Sequence, residues 1–239
     1  GVDIVPGRGP VMDKPIRSAE DVAKLPILDT DVPEVAAGIG IVLDELRDDQ
    51  ALIGFVGAPF TLASYLIEGG PSKNHEKTKA LMHADPKTWH ALMRRLVPTI
   101  KAYLKVQVDA GIDAMQLFDS WAGYLNEADY REFVLPYSTE ILDSVAGVIP
   151  RIHFGVGTGE LLGAMSEAGP EVVGVDYRVA MDAAAKRVGA RILQGNLDPA
   201  LLFAGDDAVR QAVRVIKSQV DAALSLIHIS EPTRRVVIS

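Results

Sequence analysis

The 239-residue sequence contains no cysteine, which excludes disulfide bonds, thiolate nucleophiles and zinc sites built on sulfur. Its five histidines show no His-x-x-x-His or Glu-x-x-His spacing, so we expect no metal site. No apolar run approaches the roughly 20 residues that a membrane helix needs, and the N-terminus has no basic segment followed by an apolar one. We therefore predict a cytoplasmic protein without membrane contact.

Positive charge is also scarce, because 24 Lys and Arg stand against 32 Asp and Glu, for a net charge of -8. Phosphate binding needs clustered Lys and Arg, so nucleic acid is not expected as a partner. Hydrophobic residues, by contrast, make up 48% of the chain, enough to bury a sizeable core. No Ser/Pro-rich linker or charge run divides the chain, which favours one domain.

Short apolar runs ending in a small or polar residue recur along the chain and alternate with helical patterns. The predicted strands cover 51–59, 114–118, 151–155, 172–176 and 190–194. They are apolar at consecutive positions, which is typical of a parallel sheet covered by helices. The absence of a Gly-x-Gly-x-x-Gly turn favours a (β/α)8 barrel over a doubly wound sheet. A closed barrel needs eight strands, so with about five the predicted barrel is incomplete.

Several helix boundaries carry local signals. Ser18, followed three residues later by Asp21, predicts a capping box, and Pro33 is typical of a first helical position. Asp85 precedes a proline and predicts the cap of a long amphipathic helix, which Pro98 should kink or split. A further helical region, 127–146, is expected to be interrupted near its proline.

The C-terminal end departs from the pattern of the rest. A predicted helix covers 207–223, and the string from Leu224 to Arg234 resembles a translated sequencing-library adapter. Such segments are excluded from fold reasoning. We predict a partial barrel over 1–223 and a non-native tail over 224–239, with an ordinary divergent C-terminus as the alternative.

Five residues are candidates for a binding site. Tyr65 lies on a helix that follows a strand, where its phenol either faces the barrel mouth or is buried in the core. Asp119 and Ser120 end a predicted strand, where barrel enzymes place their sites, and Ser120 alternatively caps the next turn. Without a Ser-His-Asp motif, a nucleophilic role for Ser120 is not expected. Phe55 and Phe118 either line a cavity or pack the barrel.

Three other polar residues have structural alternatives. Asp176 and Asp198 follow later strands, and each is either a site residue or a helix cap; the proline after Asp198 favours a cap. His153 lies inside a strand between apolar neighbours, so we expect a hydrogen-bonded core imidazole.

Six strings resemble the uroporphyrinogen decarboxylase family, in the order found in that family. They span Ile4–Pro10, Gly54–Leu62, Tyr65 with Glu68–Gly70, Gln116–Gly123, Val172–Asp176 and Leu193–Pro199. The resemblance extends from residue 1 to about residue 223. Several motifs in sequence are far more specific than any one alone.

The resemblance implies a (β/α)8 barrel, a homodimer and a carboxy-lyase of haem biosynthesis. Such an enzyme converts uroporphyrinogen III to coproporphyrinogen III by removing four acetate carboxylates, without a cofactor. By motif, Tyr65 and Ser120 match substrate-contacting positions of the family. Phe55 and Phe118 match apolar positions that line its pocket.

The chain also departs from the family. The family's Arg-rich first strand, its aspartate after the second strand and the histidine of its last strand have no counterparts here, so no catalytic residue is assigned. The resemblance places the corresponding strands before Gly1 and after about Ala223. We expect this polypeptide alone to be inactive and poorly folded, because an open barrel exposes strand edges and apolar surface.

Two alternative functions remain at this point. One is a methyltransferase of the same barrel superfamily, whose zinc ligands include cysteine. The other is a non-catalytic, tetrapyrrole-binding remnant of a barrel, which no sequence feature positively supports.

Overall fold

The computed structural model describes residues 2–6, 9–27, 32–189 and 191–227. Near the N-terminus, β1 (Val2–Val5) and β2 (Gly9–Met12) form an antiparallel hairpin. The five remaining strands form one sheet: β3 (Ile53–Gly57), β4 (Ala114–Asp119), β5 (Arg151–Gly155), β6 (Val172–Gly174) and β7 (Ile192–Gln194).

Helices separate consecutive strands of this sheet. In the described residues the α-helices are α1 (Ala19–Lys24), α2 (Pro33–Glu45), α3 (Pro59–Glu68), α4 (Glu76–Ala84), α5 (Pro86–Asp109), α6 (Glu127–Phe133), α7 (Leu135–Asp143), α8 (Leu162–Glu167), α9 (Met181–Val188) and α10 (Asp206–Ile227). Short 3-10 turns cover Ala122–Tyr124, Gly159–Leu161 and Pro199–Phe203.

All strand pairs from β3 to β7 are parallel, and their spatial order equals their order in the chain. Each connection passes through helices, which is the pattern of a (β/α)8 barrel. In the described part of the chain the sheet is not closed, and β3 and β7 are its edges. The predicted α/β fold, with a parallel sheet of five strands in an incomplete barrel, is confirmed.

The main core lies between the sheet and its helices. The predicted apolar face of α5 is buried against this side of the sheet, with Trp89 and Leu104 both fully buried. Met115 and Leu117 of β4 point to the same side and are also fully buried. The expected split at Pro98 does not occur, because residues on both sides of this proline are anchored in the core.

Local signals account for most helix starts. Ser18 and Asp21 form the predicted capping box of α1, and Asp85 accepts the backbone N–H of Thr88 at the start of α5. α6 and α7 are two helices, as the proline in this region predicted. None of the described helices is long and apolar enough to cross a membrane.

The structure also differs from the sequence prediction. α4 was not predicted, because its first turn is capped from a distant residue: Glu68 accepts hydrogen bonds from both the N–H and the hydroxyl of Thr78, at 2.9 Å each. The helix predicted over 207–223 is longer in the structure, where α10 continues to Ile227. Residues 228–239 of the predicted tail lie outside the described residues.

Candidate functional site

The carboxyl ends of the five parallel strands lie at one edge of the sheet, because the strands are adjacent and point the same way. Ser120 follows the last residue of β4 at this edge. Tyr65 lies on α3, which begins two residues after β3 ends. Both candidate residues therefore belong to segments that leave neighbouring strands at the same edge.

A ring contact connects the two candidates. The ring of Tyr65 packs on that of Trp121, with the ring centroids 4.1 Å apart and the ring planes at 44°. Trp121 is the residue directly after Ser120. The structure thus brings the Tyr65 ring against the turn that carries Ser120.

Neither candidate hydroxyl has a structural task in the described residues. Tyr65 and Ser120 are both half-buried, and neither hydroxyl makes a hydrogen bond within that part of the chain. The alternative that Ser120 caps the next turn is wrong, because the 3-10 turn starting after Trp121 has no side-chain cap. Within the described part of the chain, no contact therefore occupies either hydroxyl.

Phe55 and Phe118 lie on the face of the sheet that points away from the helices, called the concave face below. Their rings make an edge-to-face contact, with 5.8 Å between the centroids. Phe118 makes a second such contact with Phe154 of β5, at 5.9 Å. The three rings form an apolar row across β3, β4 and β5. Their role in lining a ligand pocket stays a prediction.

Asp119 points to the opposite face, so the prediction that it lies at the site beside Ser120 is wrong: successive strand residues alternate between the two faces of the sheet. Its carboxyl is fully buried, 3.4 Å from the Oγ1 of Thr61 and 3.8 Å from the Nε2 of His153. Burial raises the pKa of the nearby Tyr130 phenol, and the Asp119 charge raises it further. A buried polar cluster therefore lies directly behind the candidate site.

His153 is a core residue, as predicted, but only half of its imidazole is hydrogen-bonded. Its Nδ1 lies 3.4 Å from the carbonyl oxygen of Met165, and its Nε2 has no hydrogen-bond partner in the described residues. The imidazole contributes to the buried cluster around Asp119 and does not reach the row of phenylalanines.

A second buried imidazole lies behind Trp121. His75 is fully buried, with ring contacts to Trp121 at 4.6 Å and to Tyr124 at 4.8 Å. Burial lowers the pKa of this histidine below its usual value, which favours the neutral ring. His75 thus supports the aromatic contact between Trp121 and Tyr65 from behind.

Asp176 ties two loops of the same edge together. Its Oδ2 accepts the backbone N–H of Gly157 at 3.1 Å and pairs with the guanidinium of Arg178 at 2.5 Å. Its Oδ1 accepts the Arg178 N–H at 2.9 Å. The structure assigns Asp176 to loop bracing, since these contacts occupy both carboxylate oxygens.

Other residues at this edge have structural roles. Asp198 caps the 3-10 turn after β7 by accepting the N–H of Ala200, as predicted. A Cβ at Gly123 would lie 2.4 Å from the carbonyl oxygen of Val156, so the loops after β4 and β5 pack too closely for any larger residue.

No group of three or more His, Asp or Glu in the described ranges could hold a metal ion.

Sequence reasoning missed Thr61, Trp121 and His75. The first two lie inside strings that resemble the family, but pattern alone does not show what they touch. Thr61 contacts Asp119, which lies 58 residues later in the sequence, and His75 contacts Trp121, which lies 46 residues later. Only the folded chain reveals such contacts.

Comparison with known proteins gives a consistent picture. The family model for "Uroporphyrinogen decarboxylase (URO-D)" matches residues 1–227. A protein of Corynebacterium glutamicum (strain R) named uroporphyrinogen decarboxylase is 69% identical over 233 residues, which cover 95% of this chain and 65% of that protein. Its counterpart in Rhodococcus opacus is 60% identical, over 94% of this chain and 64% of that protein. The chain thus spans about 65% of the length of these relatives.

Solved structures support the fold alone. A methyltransferase from Methanosarcina mazei superposes with a TM-score of 0.76 at 17% identity, over 92% of this chain and 66% of that one. A putative vitamin-B12 independent methionine synthase from Listeria monocytogenes gives a TM-score of 0.54 at 12% identity, over 82% of this chain and 61% of that one.

Proposed function

The chain belongs to the uroporphyrinogen decarboxylase family, and we propose that its residues form part of an enzyme that converts uroporphyrinogen III to coproporphyrinogen III. The observation that carries this proposal is the contact of Tyr65 with Trp121, beside Ser120. It brings the two family-matched residues to one edge of the sheet. The apolar row of Phe55, Phe118 and Phe154 lies on the adjoining concave face.

The reaction exchanges carbon dioxide for a proton on each of four acetate groups. Protonation of a pyrrole carbon makes the ring an electron sink, so that the electrons of the breaking carbon–carbon bond pass into the ring as carbon dioxide leaves. A second proton completes the methyl group while the ring carbon returns its own proton. Each acetate thus consumes one proton in total, and no cofactor is proposed because the pyrrole itself accepts the electrons.

The proposed roles of the site residues follow from the substrate's chemistry. Carboxylates accept strong hydrogen bonds, which the free hydroxyls of Tyr65 and Ser120 can donate. An apolar row suits the faces of pyrrole rings, and ligand pockets typically combine apolar walls with a few placed polar groups. Phe55 and Phe118 are proposed to form that wall. The group that protonates the pyrrole is not assigned to any residue of this chain.

The remaining proposals rest on family membership. They are a homodimer, a cytoplasmic location and the lack of activity of this polypeptide alone. A methyltransferase with a zinc-bound thiolate would need a cysteine from outside these 239 residues, since they contain none. No observation favours that function or a non-catalytic binding role over the decarboxylase.

A chimera tests the proposal. In this protein, referred to below as the chimera, residues 2–227 replace the matched segment of the C. glutamicum relative. The two sequences are 69% identical over the match, so their packing surfaces should be compatible. We expect the purified chimera to convert uroporphyrinogen III to coproporphyrinogen III, measured by chromatography of the oxidised porphyrins.

The 239-residue chain alone serves as the control, and we expect it to form no product. A chimera that unfolds in one cooperative thermal transition, and so is folded, yet forms no coproporphyrinogen would contradict the proposed function.

A further inference from the structure

The hydroxyl of Thr61 lies between the two residues that flank Ser120. It donates to the Oδ1 of Asp119 at 3.4 Å and accepts the backbone N–H of Trp121 at 3.3 Å. Thr61 is only 6% exposed and lies in the first turn of α3. Its hydroxyl does not cap that helix, because the N-cap of α3 has no side-chain hydrogen bond.

α3 also contacts the turn that carries Ser120 at a second point. Tyr65 follows Thr61 by four residues, so both side chains lie on one face of the helix. Thr61 binds the backbone of Trp121, and Tyr65 packs on the ring of Trp121. The turn that carries Ser120 is therefore fixed to α3 through its backbone and through its aromatic side chain.

We propose that Thr61 is a positioning residue that fixes Ser120 relative to Tyr65. This inference rests on the proposed function, because it concerns how those two hydroxyls are presented to the substrate. Thr61 itself faces Asp119 in the buried cluster and does not touch the substrate. It acts through the residues on both sides of Ser120.

The surroundings of Asp119 explain why the Thr61 hydroxyl should influence the position of the end of β4. Both contacts of Thr61 lie at the long end of the hydrogen-bond range and are individually weak. The Asp119 carboxyl is fully buried, however, and its Oδ2 has no hydrogen-bond partner in the described residues. Loss of the Thr61 donor would leave that carboxyl poorly solvated, so the end of β4 would shift to reach another donor.

The first experiment compares Thr61→Val with Thr61→Ser in the chimera. Valine keeps the shape of threonine and removes the hydroxyl, whereas serine keeps the hydroxyl. We expect Thr61→Val to lower kcat/KM about tenfold and Thr61→Ser to stay within about threefold of the parent, since net hydrogen-bond contributions correspond to factors of this size. Equal kcat/KM values for the two variants would overturn the proposal.

A double-mutant cycle separates positioning from a general loss of structure. If Thr61 acts through Ser120, Thr61→Val should cost clearly less in a Ser120→Ala background than in the parent. Strictly additive losses would overturn the proposal. Thr88→Val is the matched control, because Thr88 is buried and also donates to an aspartate, Asp85, at 2.6 Å. It should lower the thermal midpoint and leave kcat/KM unchanged.

Fluorescence gives a readout that does not depend on activity. Trp121 is partly exposed and Trp89 is fully buried, so acrylamide should quench mainly Trp121 among the tryptophans of this segment. We expect Thr61→Val to raise the quenching constant and Thr61→Ser to leave it unchanged. Trp121→Phe should abolish the difference.

The two readouts distinguish the possible failures. An inactive chimera in which Thr61→Val still raises Trp121 quenching would contradict the proposed function and retain the bracing role of Thr61. An active chimera in which Thr61→Val changes neither quenching nor kcat/KM would overturn the positioning role and leave the proposed function standing.

Discussion

The two faces of the five-stranded sheet differ sharply. On β3, Val56 points to the helices and is 2% exposed, whereas its neighbour Phe55 points to the concave face and is 58% exposed. The helix-facing side packs into a hydrophobic core within the described residues, to which Leu117 and Trp89 belong. The concave side presents an apolar row that would be buried inside a closed barrel.

The difference between the two faces separates contacts that the described residues make themselves from contacts that would form only in a closed barrel. The described residues make the core contacts behind the sheet, including those of Asp119 with Thr61 and His153. Contacts of the concave face are incomplete in the open sheet. Substitutions on the two faces should therefore have different effects on the free energy of unfolding.

The largest expected effect is on the helix-facing side. Leu117 of β4 is fully buried there. We expect Leu117→Ala to lower the free energy of unfolding of the chimera by about 3 kcal/mol, through lost burial and a residual cavity. Urea unfolding measures this value. Leu202→Ala is the control, because Leu202 is 65% exposed and its loss should cost below about 0.5 kcal/mol. Equal losses for both would remove the contrast between core and surface.

A smaller effect is expected at the loop edge. Burial raises the pKa of Asp176, but the N–H groups of Arg178 and Gly157 and the Arg178 guanidinium outweigh it and hold the pKa below its usual value. Because folding lowers its pKa, the ionised Asp176 carboxylate stabilises the fold at pH values above the unfolded-state pKa of about 4. This contribution to stability is lost as the pH falls through the folded-state pKa. We expect Asp176→Asn to cost about 2 kcal/mol near neutral pH.

Urea unfolding of the chimera between neutral pH and pH 3 checks this prediction. The stability difference between the parent and Asp176→Asn should shrink as the pH falls. A stability difference that stays constant with pH would show that the carboxylate charge is not involved.

The smallest effect is expected on the concave face. Phe55 is 58% exposed and is proposed to line a substrate pocket, so Phe55→Ala should lower the free energy of unfolding of the chimera by no more than about 1 kcal/mol. Urea unfolding measures this value. A loss as large as that of Leu117→Ala would mean that the ring is packed in a core and does not face a pocket.

The sequence predicted the sheet well because strands and helix caps carry local signals. β5 was predicted with its correct ends, and the capping box at Ser18 was correct. α4 was missed because its cap, Glu68, lies outside the local pattern. The strands looked apolar at consecutive positions, yet β3 and β4 alternate in burial, because helices cover only one face of the described sheet.

The candidate site was predicted only in part. The resemblance pointed to Tyr65 and Ser120, and the fold places both at one edge of the sheet. The contacts of Thr61 and the direction of Asp119 towards the helices were not predictable, because they depend on how α3 packs on the end of β4. Sequence spacing does not report such long-range contacts.

The central claim is that Tyr65 and Ser120 form one substrate-binding site. The most direct test measures kcat/KM for uroporphyrinogen III in chimeras that carry Tyr65→Phe or Ser120→Ala. We predict that each loses at least about tenfold, the size of a lost hydrogen bond to a charged group. The matched controls Tyr103→Phe on α5 and Ser218→Ala on α10 should retain the parent value. Parent values for both site variants would contradict the claim.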